Sequence, residues 1–113
     1  MSGSEKAEGK LIRVTVDPGI CGFPCTIEAQ REGKRAVRLD VRSECAHIQR
    51  LGSLVSVITL KELFAPLTRN PIFLSAERAR CHASCVIPVA VAKAAEVALE
   101  MALPRDVRIV FVP

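Results

Sequence analysis

The chain has 113 residues, half of them hydrophobic and 25% charged, with 16 Lys and Arg against 12 Asp and Glu. This is a globular composition, which excludes whole-chain disorder and is sufficient for one domain with its own core. With no Trp or Tyr and four Phe, few rings are available to stack on bases or sugars, and five Cys are too few for a disulfide-built scaffold.

Residues 1–9 read as a disordered tail, followed by a single α+β domain over 10–113. Met1 to Gly9 is mostly Ser, Gly, Glu and Lys, and no apolar h-region follows, so the expectation is a cytoplasmic chain without a signal peptide. Leu11 to Val16 alternates, with Ile12, Val14 and Val16 on one side, as a half-buried strand does. Asp17-Pro18-Gly19 stops it and Ile20 to Pro24 reads as a loop. Cys25 to Arg31 alternates again, with Cys25, Ile27 and Ala29 facing inward. Glu32-Gly33-Lys34 reads as a hairpin loop, and Ala36 to Arg42 is a third strand with Val37, Leu39 and Val41 inward.

The period then changes. Ser43 is placed to cap a helix with Cys45, Ile48, Leu51, Leu54 and Val55 on its apolar side. Thr59-x-x-Glu62 fits a capping box opening a second, short helix. Asn70-Pro71 reads as a break, and Ser75 as the cap of a third helical turn through Arg80. Pro88 is tolerated in a first helical turn, which predicts a buried helix starting at 84–87 and running to Met101, with Lys93, Glu96 and Glu100 on one polar stripe. Pro104 ends it. Asp106 to Val112, with Val107, Ile109 and Phe111 alternating, reads as a closing strand. The predicted order is β-β-β-α-α-(α)-α-β: a two-layer α+β fold, its mostly antiparallel four-stranded sheet covered by helices on one face.

Arg31, Lys34, Arg35, Arg38 and Arg42 cluster, but without interleaved aromatics or a reading motif, which argues against nucleic-acid binding. Glu28 and Asp40 read as charges balancing these arginines. The apolar stretch from Val86 to Leu103 carries Lys93, Glu96 and Glu100, which argues against a membrane span. No phosphate loop, Ser–His–Asp set or paired-carboxylate site is present.

The chemistry rests with the cysteines. Cys21 and Cys25 have C-x-x-x-C spacing in and after the first loop; Cys81 and Cys85 repeat it with His82 between. Cys45 stands at the start of the first helix. In a reducing compartment such clusters point to metal, to catalysis, or to small buried hydrophobes. The spacing is within the range zinc accepts. Cys85 at a helix N-terminus is the alternative nucleophile of a thiol enzyme or sulfur carrier, since free N–H groups and the helix dipole favour a thiolate. His47, about 200° around the helix from Cys45, is expected to face water and is not counted as a ligand.

Asp17-x-Gly19-Ile20-Cys21-Gly22-Phe23, Ser43-x-Cys45-x-x-Ile48, His82-x-x-Cys85-x-x-Pro88, Lys93-Ala94-x-Glu96-Val97 and Ala102-Leu103-Pro104-x-Asp106-Val107 resemble a family of small proteins from anaerobic bacteria and archaea. The resemblance implies a Cys₃His-type metal set of Cys21, Cys45, Cys85 and His82, with Cys25 and Cys81 as substitutes, holding zinc or an iron–sulfur cluster. Cys85-Val86-Ile87-Pro88 has a weaker likeness to the Cys-Pro-x-Pro helix start of TusA-type sulfur carriers, lacking the Pro after the Cys. The apolar circumference of the last helix further suggests a homo-oligomer or an unidentified protein partner.

Overall fold

A computed structural model describes residues 9–113. Three strands form where the sequence alternates: β1 (Leu11–Val16), β2 (Cys25–Glu32) and β3 (Ala36–Ser43). They pair as an antiparallel meander, with Val16 opposite Cys25 and Cys25 opposite Ser43 at one end, and Glu32 opposite Ala36 at the hairpin. The hairpin turns at Gly33, whose φ of 72° lies in the left-handed region that glycine adopts without steric cost.

The fourth strand is not the expected one. β4 (Val57–Thr59) follows the first helix, α1 (Ala46–Leu54), and pairs antiparallel with Ala36, Val37 and Arg38, giving the sheet order β1-β2-β3-β4. Asp106 to Val112 forms no element and is exposed throughout. Its alternation supplies a face but no neighbour, and a strand exists only when its backbone groups find a partner edge. The α+β class and the four-stranded antiparallel sheet hold; the closing strand of the predicted order is replaced by β4.

After β4 come α2 (Leu60–Leu63), α3 (Pro71–Arg78) and α4 (Ile87–Ala98). The capping box is present: Thr59 Oγ1 accepts from the Glu62 N–H at 3.2 Å and Glu62 Oε1 accepts from the Thr59 N–H at 2.9 Å. Asn70-Pro71 proves to be a helix start rather than a break. Asn70 is the N-cap of α3, its Oδ1 accepting from the Ile72 N–H at 3.0 Å, and Pro71 takes the first helical position, where its missing donor costs nothing. Ser75 is therefore mid-helix rather than a cap. α4 starts where Pro88 predicts but stops at Ala98, short of Met101. Glu100 turns left-handed at φ 60°, and the Glu100 and Met101 N–H groups close on the carbonyls of Val97 and Glu96.

α4 packs over β1 and β2, α1 over β3, and α3 lies against both helices. The core is the inward row of β2 and β3 (Ile27, Ala29, Val37 and Leu39) meeting Ile48, Leu51, Ile72, Val91 and Ala95. Gly52 permits the close seating of α1, since a Cβ there would lie 3.1 Å from Val41 Cβ and 3.2 Å from the Val41 carbonyl oxygen. The outer face carries the ion pairs Arg13–Glu28 at 2.8 Å, Arg42–Asp40 at 2.8 Å and Arg38–Glu32. Glu28 and Asp40 thus pair with arginines as expected. No helix among the described residues is long and apolar enough to cross a membrane.

Candidate functional site: a cysteine cluster at one end of the sheet

Three strand ends and two helix starts meet at the Val16–Cys25–Ser43 end of the sheet. Cys25 opens β2 on its inward face, as its parity with Ile27 predicts, and is 2% exposed. Ser43 ends β3, and its Oγ accepts from the Cys45 N–H at 3.1 Å. Cys45, not Ser43, is the N-cap of α1, with extended backbone at φ −73° and ψ 122°. Cys81 follows α3 directly. Arg80 turns left-handed at φ 61°, and the Cys81 N–H donates to the Ala76 carbonyl at 2.9 Å, a closure that fixes Cys81 against the helix it has just left. Cys85 precedes α4, its N–H donating to the His82 carbonyl at 3.0 Å. Cys45, Cys81 and Cys85 are half-buried and pack on the core.

Four of the five sulfurs share one electrostatic neighbourhood. Burial first, and then thiolate charge on Cys85 and Cys45, push the Cys25 thiol up to about 11. Burial also raises Cys81, helped by the same two neighbours, Cys85 and Cys45. Charge on Cys85 and Cys45 thus opposes ionisation of both Cys25 and Cys81, as closely spaced like charges do. Among the described residues, however, no group of three or more His, Cys, Asp or Glu side chains is already drawn together tightly enough to hold a metal ion.

Of the residues named from the family resemblance, Cys45 and Cys85 belong to this neighbourhood, and Cys25 and Cys81 join them. Cys21 does not. It lies in a 3₁₀ turn, Gly19–Cys21, which Asp17 Oδ1 initiates by accepting from the Gly19 N–H at 3.0 Å. The turn holds Cys21 exposed beside the fully exposed Ile20. His82 is exposed at the rim, its ring centroid 6.5 Å from that of His47.

His47 faces water, as its place on the helix predicts, and makes one contact the sequence did not announce. It is exposed, but its Nδ1 lies 2.9 Å from the Ala79 carbonyl oxygen, while Arg50 Nε donates to the Arg78 carbonyl at 3.3 Å. One face of α1 thus satisfies the free carbonyls at the end of α3. Cys45 is the N-cap, so His47, two residues on, stands in the first turn of α1, where its ring reaches the end of α3.

A shallow groove of about 500 Å³ lies beyond this end, between β3 and α1, lined by polar groups including Asp40, Arg42, Gln49 and Ser53. None of the five cysteines lines it.

A family model described as "Family of unknown function (DUF6951)" matches residues 12–111. The chain belongs to DUF6951. The match runs from β1 through α4 and on into the exposed C-terminal segment, so that segment is part of the family's domain rather than an appendage to it. Comparison with curated proteins and with solved structures gives no match.

Proposed function

We propose that this DUF6951 protein binds a soft metal centre, zinc or an iron–sulfur cluster, through the thiols of Cys25, Cys45, Cys81 and Cys85, with His47 and His82 at the rim. The observation that carries this reading is that four cysteines from three separate segments, the start of β2, the start of α1 and the α3–α4 connection, share one neighbourhood in which Cys85 and Cys45 act on both Cys25 and Cys81. Buried cysteines that served packing alone would have no reason to gather. A cation among them would reverse the repulsion, because a metal stabilises the very thiolates that burial and neighbouring sulfurs disfavour. The donor set fits: thiolate and neutral imidazole are the ligands zinc takes, and four thiolates are those of iron–sulfur clusters. The Ala79 carbonyl holds the Nδ1 proton of His47 and leaves Nε2 unprotonated, the usual arrangement of a ligating histidine. Because the sulfurs neighbour one another without having converged, binding draws them together and couples metal to local stability. A thiol-enzyme or sulfur-carrier role, with Cys85 as nucleophile and Cys45 or Cys21 as resolving thiol, would leave Cys25 and Cys81 unexplained.

The test is metal and acid-labile sulfide analysis of protein purified without oxygen, alongside Cys-to-Ser variants. We expect stoichiometric metal, lost in Cys45→Ser and Cys85→Ser and retained in Cys21→Ser. Metal-free protein whose thermal unfolding ignores both chelators and added zinc overturns the reading.

A further inference from the structure

We infer that the C-terminal segment Asp106–Val112 is an exchanged strand, adding to the free edge of β1 in a second copy of this chain. The segment carries Val107, Ile109, Val110, Phe111 and Val112, preceded by Leu103, all large, apolar and 60–96% exposed. Six such side chains in one extended stretch are far more than scattered surface apolars, and this stretch lies almost wholly within the family's domain. Its residues are β-branched or aromatic at five of seven positions, and Val107, Ile109 and Phe111 share one face by strand parity.

The receiving edge is β1. It is a terminal strand of the sheet and, among the described residues, hydrogen-bonds to β2 alone. Its six residues are one fewer than the seven of the segment. Its inward row, Ile12, Val14 and Val16, is only half-buried, whereas Ile27 and Ala29 on the neighbouring β2 are fully buried. The layer is therefore incomplete on the β1 side, and one more apolar strand would extend it. The other terminal strand, β4, is only three residues long, and the groove beside β3 is polar.

The exit of the segment is fixed nearby. Arg31 Nη2 donates to the Leu99 carbonyl at 3.2 Å and Arg31 faces the Glu100 carboxylate at 3.8 Å. Arg31 follows Gln30, the partner of Leu11, so α4 ends beside the first residue of β1. An unpaired edge and a free strand on the same molecule are the ingredients of symmetric strand exchange. In a two-fold pair, Val107, Ile109 and Phe111 of each copy extend the inward row of the other's β1, six large apolar side chains beside the backbone bonds of two new strand pairings. A stable dimer buries roughly 1,200 Å² or more.

The experiment uses the full chain. Sedimentation and amide hydrogen exchange should show a dimer, with protection at Val107 to Phe111 and at the β1 amides turned away from β2. Ile109→Asp combined with Phe111→Asp should weaken the dimer at least about 100-fold. Core amide exchange should stay unchanged, because these side chains lie outside the core. Three outcomes overturn the inference: a strict monomer with an unprotected segment; a monomer with a protected segment, which places the strand on its own chain's edge; and a dimer that the double variant leaves intact.

Discussion

The imidazole Nδ1 of His47 and the carbonyl oxygen of Ala79, 2.9 Å apart, tie the first turn of α1 to the end of α3. A carbonyl can only accept, so Nδ1 is the protonated nitrogen of the neutral ring. The uncommitted His82 has no such constraint among the described hydrogen bonds. Two-dimensional ¹⁵N–¹H spectra at a pH where both rings are neutral should show His47 as the Nδ1–H tautomer. His47→Ala should cost about 1 kcal/mol in denaturant unfolding, the value of one partly exposed hydrogen bond. An Nε2–H tautomer at His47 contradicts this geometry.

Asn70 carries more than a cap. While its Oδ1 accepts from Ile72, its Nδ2 donates to the Leu63 carbonyl at 3.0 Å and approaches the Glu62 and Ala65 carbonyls at 3.3 Å. At 4% exposure it joins the end of α2 to the start of α3. Asn70→Ala should destabilise by roughly 2–3 kcal/mol, a lost cap plus orphaned carbonyls. Asn70→Asp separates the two roles: it keeps the cap but sets a carboxylate against three carbonyl oxygens. Urea unfolding at neutral pH should show it at least as damaging as Asn70→Ala; a wild-type midpoint would mean that the Nδ2 contacts contribute nothing.

Gly52→Ala improves helix propensity by about 1 kcal/mol yet should lower stability. The new methyl would sit 3.1 Å from Val41 Cβ and 3.2 Å from its carbonyl oxygen, so α1 must move off β3. The net loss expected is about 1–2 kcal/mol, measured by the denaturation midpoint at unchanged m-value. A gain in stability would show that the helix can shift without cost.

The Cys25 thiol sets a pH dependence. Its folded value of about 11 exceeds the ordinary 9.0 because of burial first and the Cys85 and Cys45 charges second. Above pH 9 the unfolded chain ionises while the folded chain stays protonated, so the folded state holds more protons and stability falls as pH rises. The contribution is complete below pH 9 and is lost on approach to pH 11. Reduced, metal-free protein should lose about 1–2 kcal/mol across this window, after allowance for partial solvent screening. Cys25→Ala should flatten the slope, leaving the smaller contribution of Cys81, which has the same sign. An equally steep slope in Cys25→Ala assigns the dependence elsewhere.

The period-2 rows of β1, β2 and β3 were legible because a half-buried strand writes its geometry into alternate residues, and Thr59-x-x-Glu62 was legible because the capping box is a local bond pattern. Val57–Thr59 was not, since three residues are too few to show a period. Asn70-Pro71 was ambiguous by nature: the same pair that ends one helix caps the next. For the site, the sequence separated Cys45 and Cys85 correctly as residues at helix starts, and parity turned Cys25 inward. It could not show that Cys21 stands exposed in a turn or that His47 meets the end of α3, because neither loop exposure nor helix–helix contact is a property of spacing.

The amino-acid order alone determined the meander, the capped helix starts and the class of the fold, because these follow from hydrogen bonds and side-chain periods that span a few residues. Tertiary structure decided which sulfurs are neighbours and left the Asp106–Val112 segment unpaired among the described residues. Both outcomes depend on segments far apart in the chain meeting in space, and a pairing needs two surfaces while a sequence pattern describes only one.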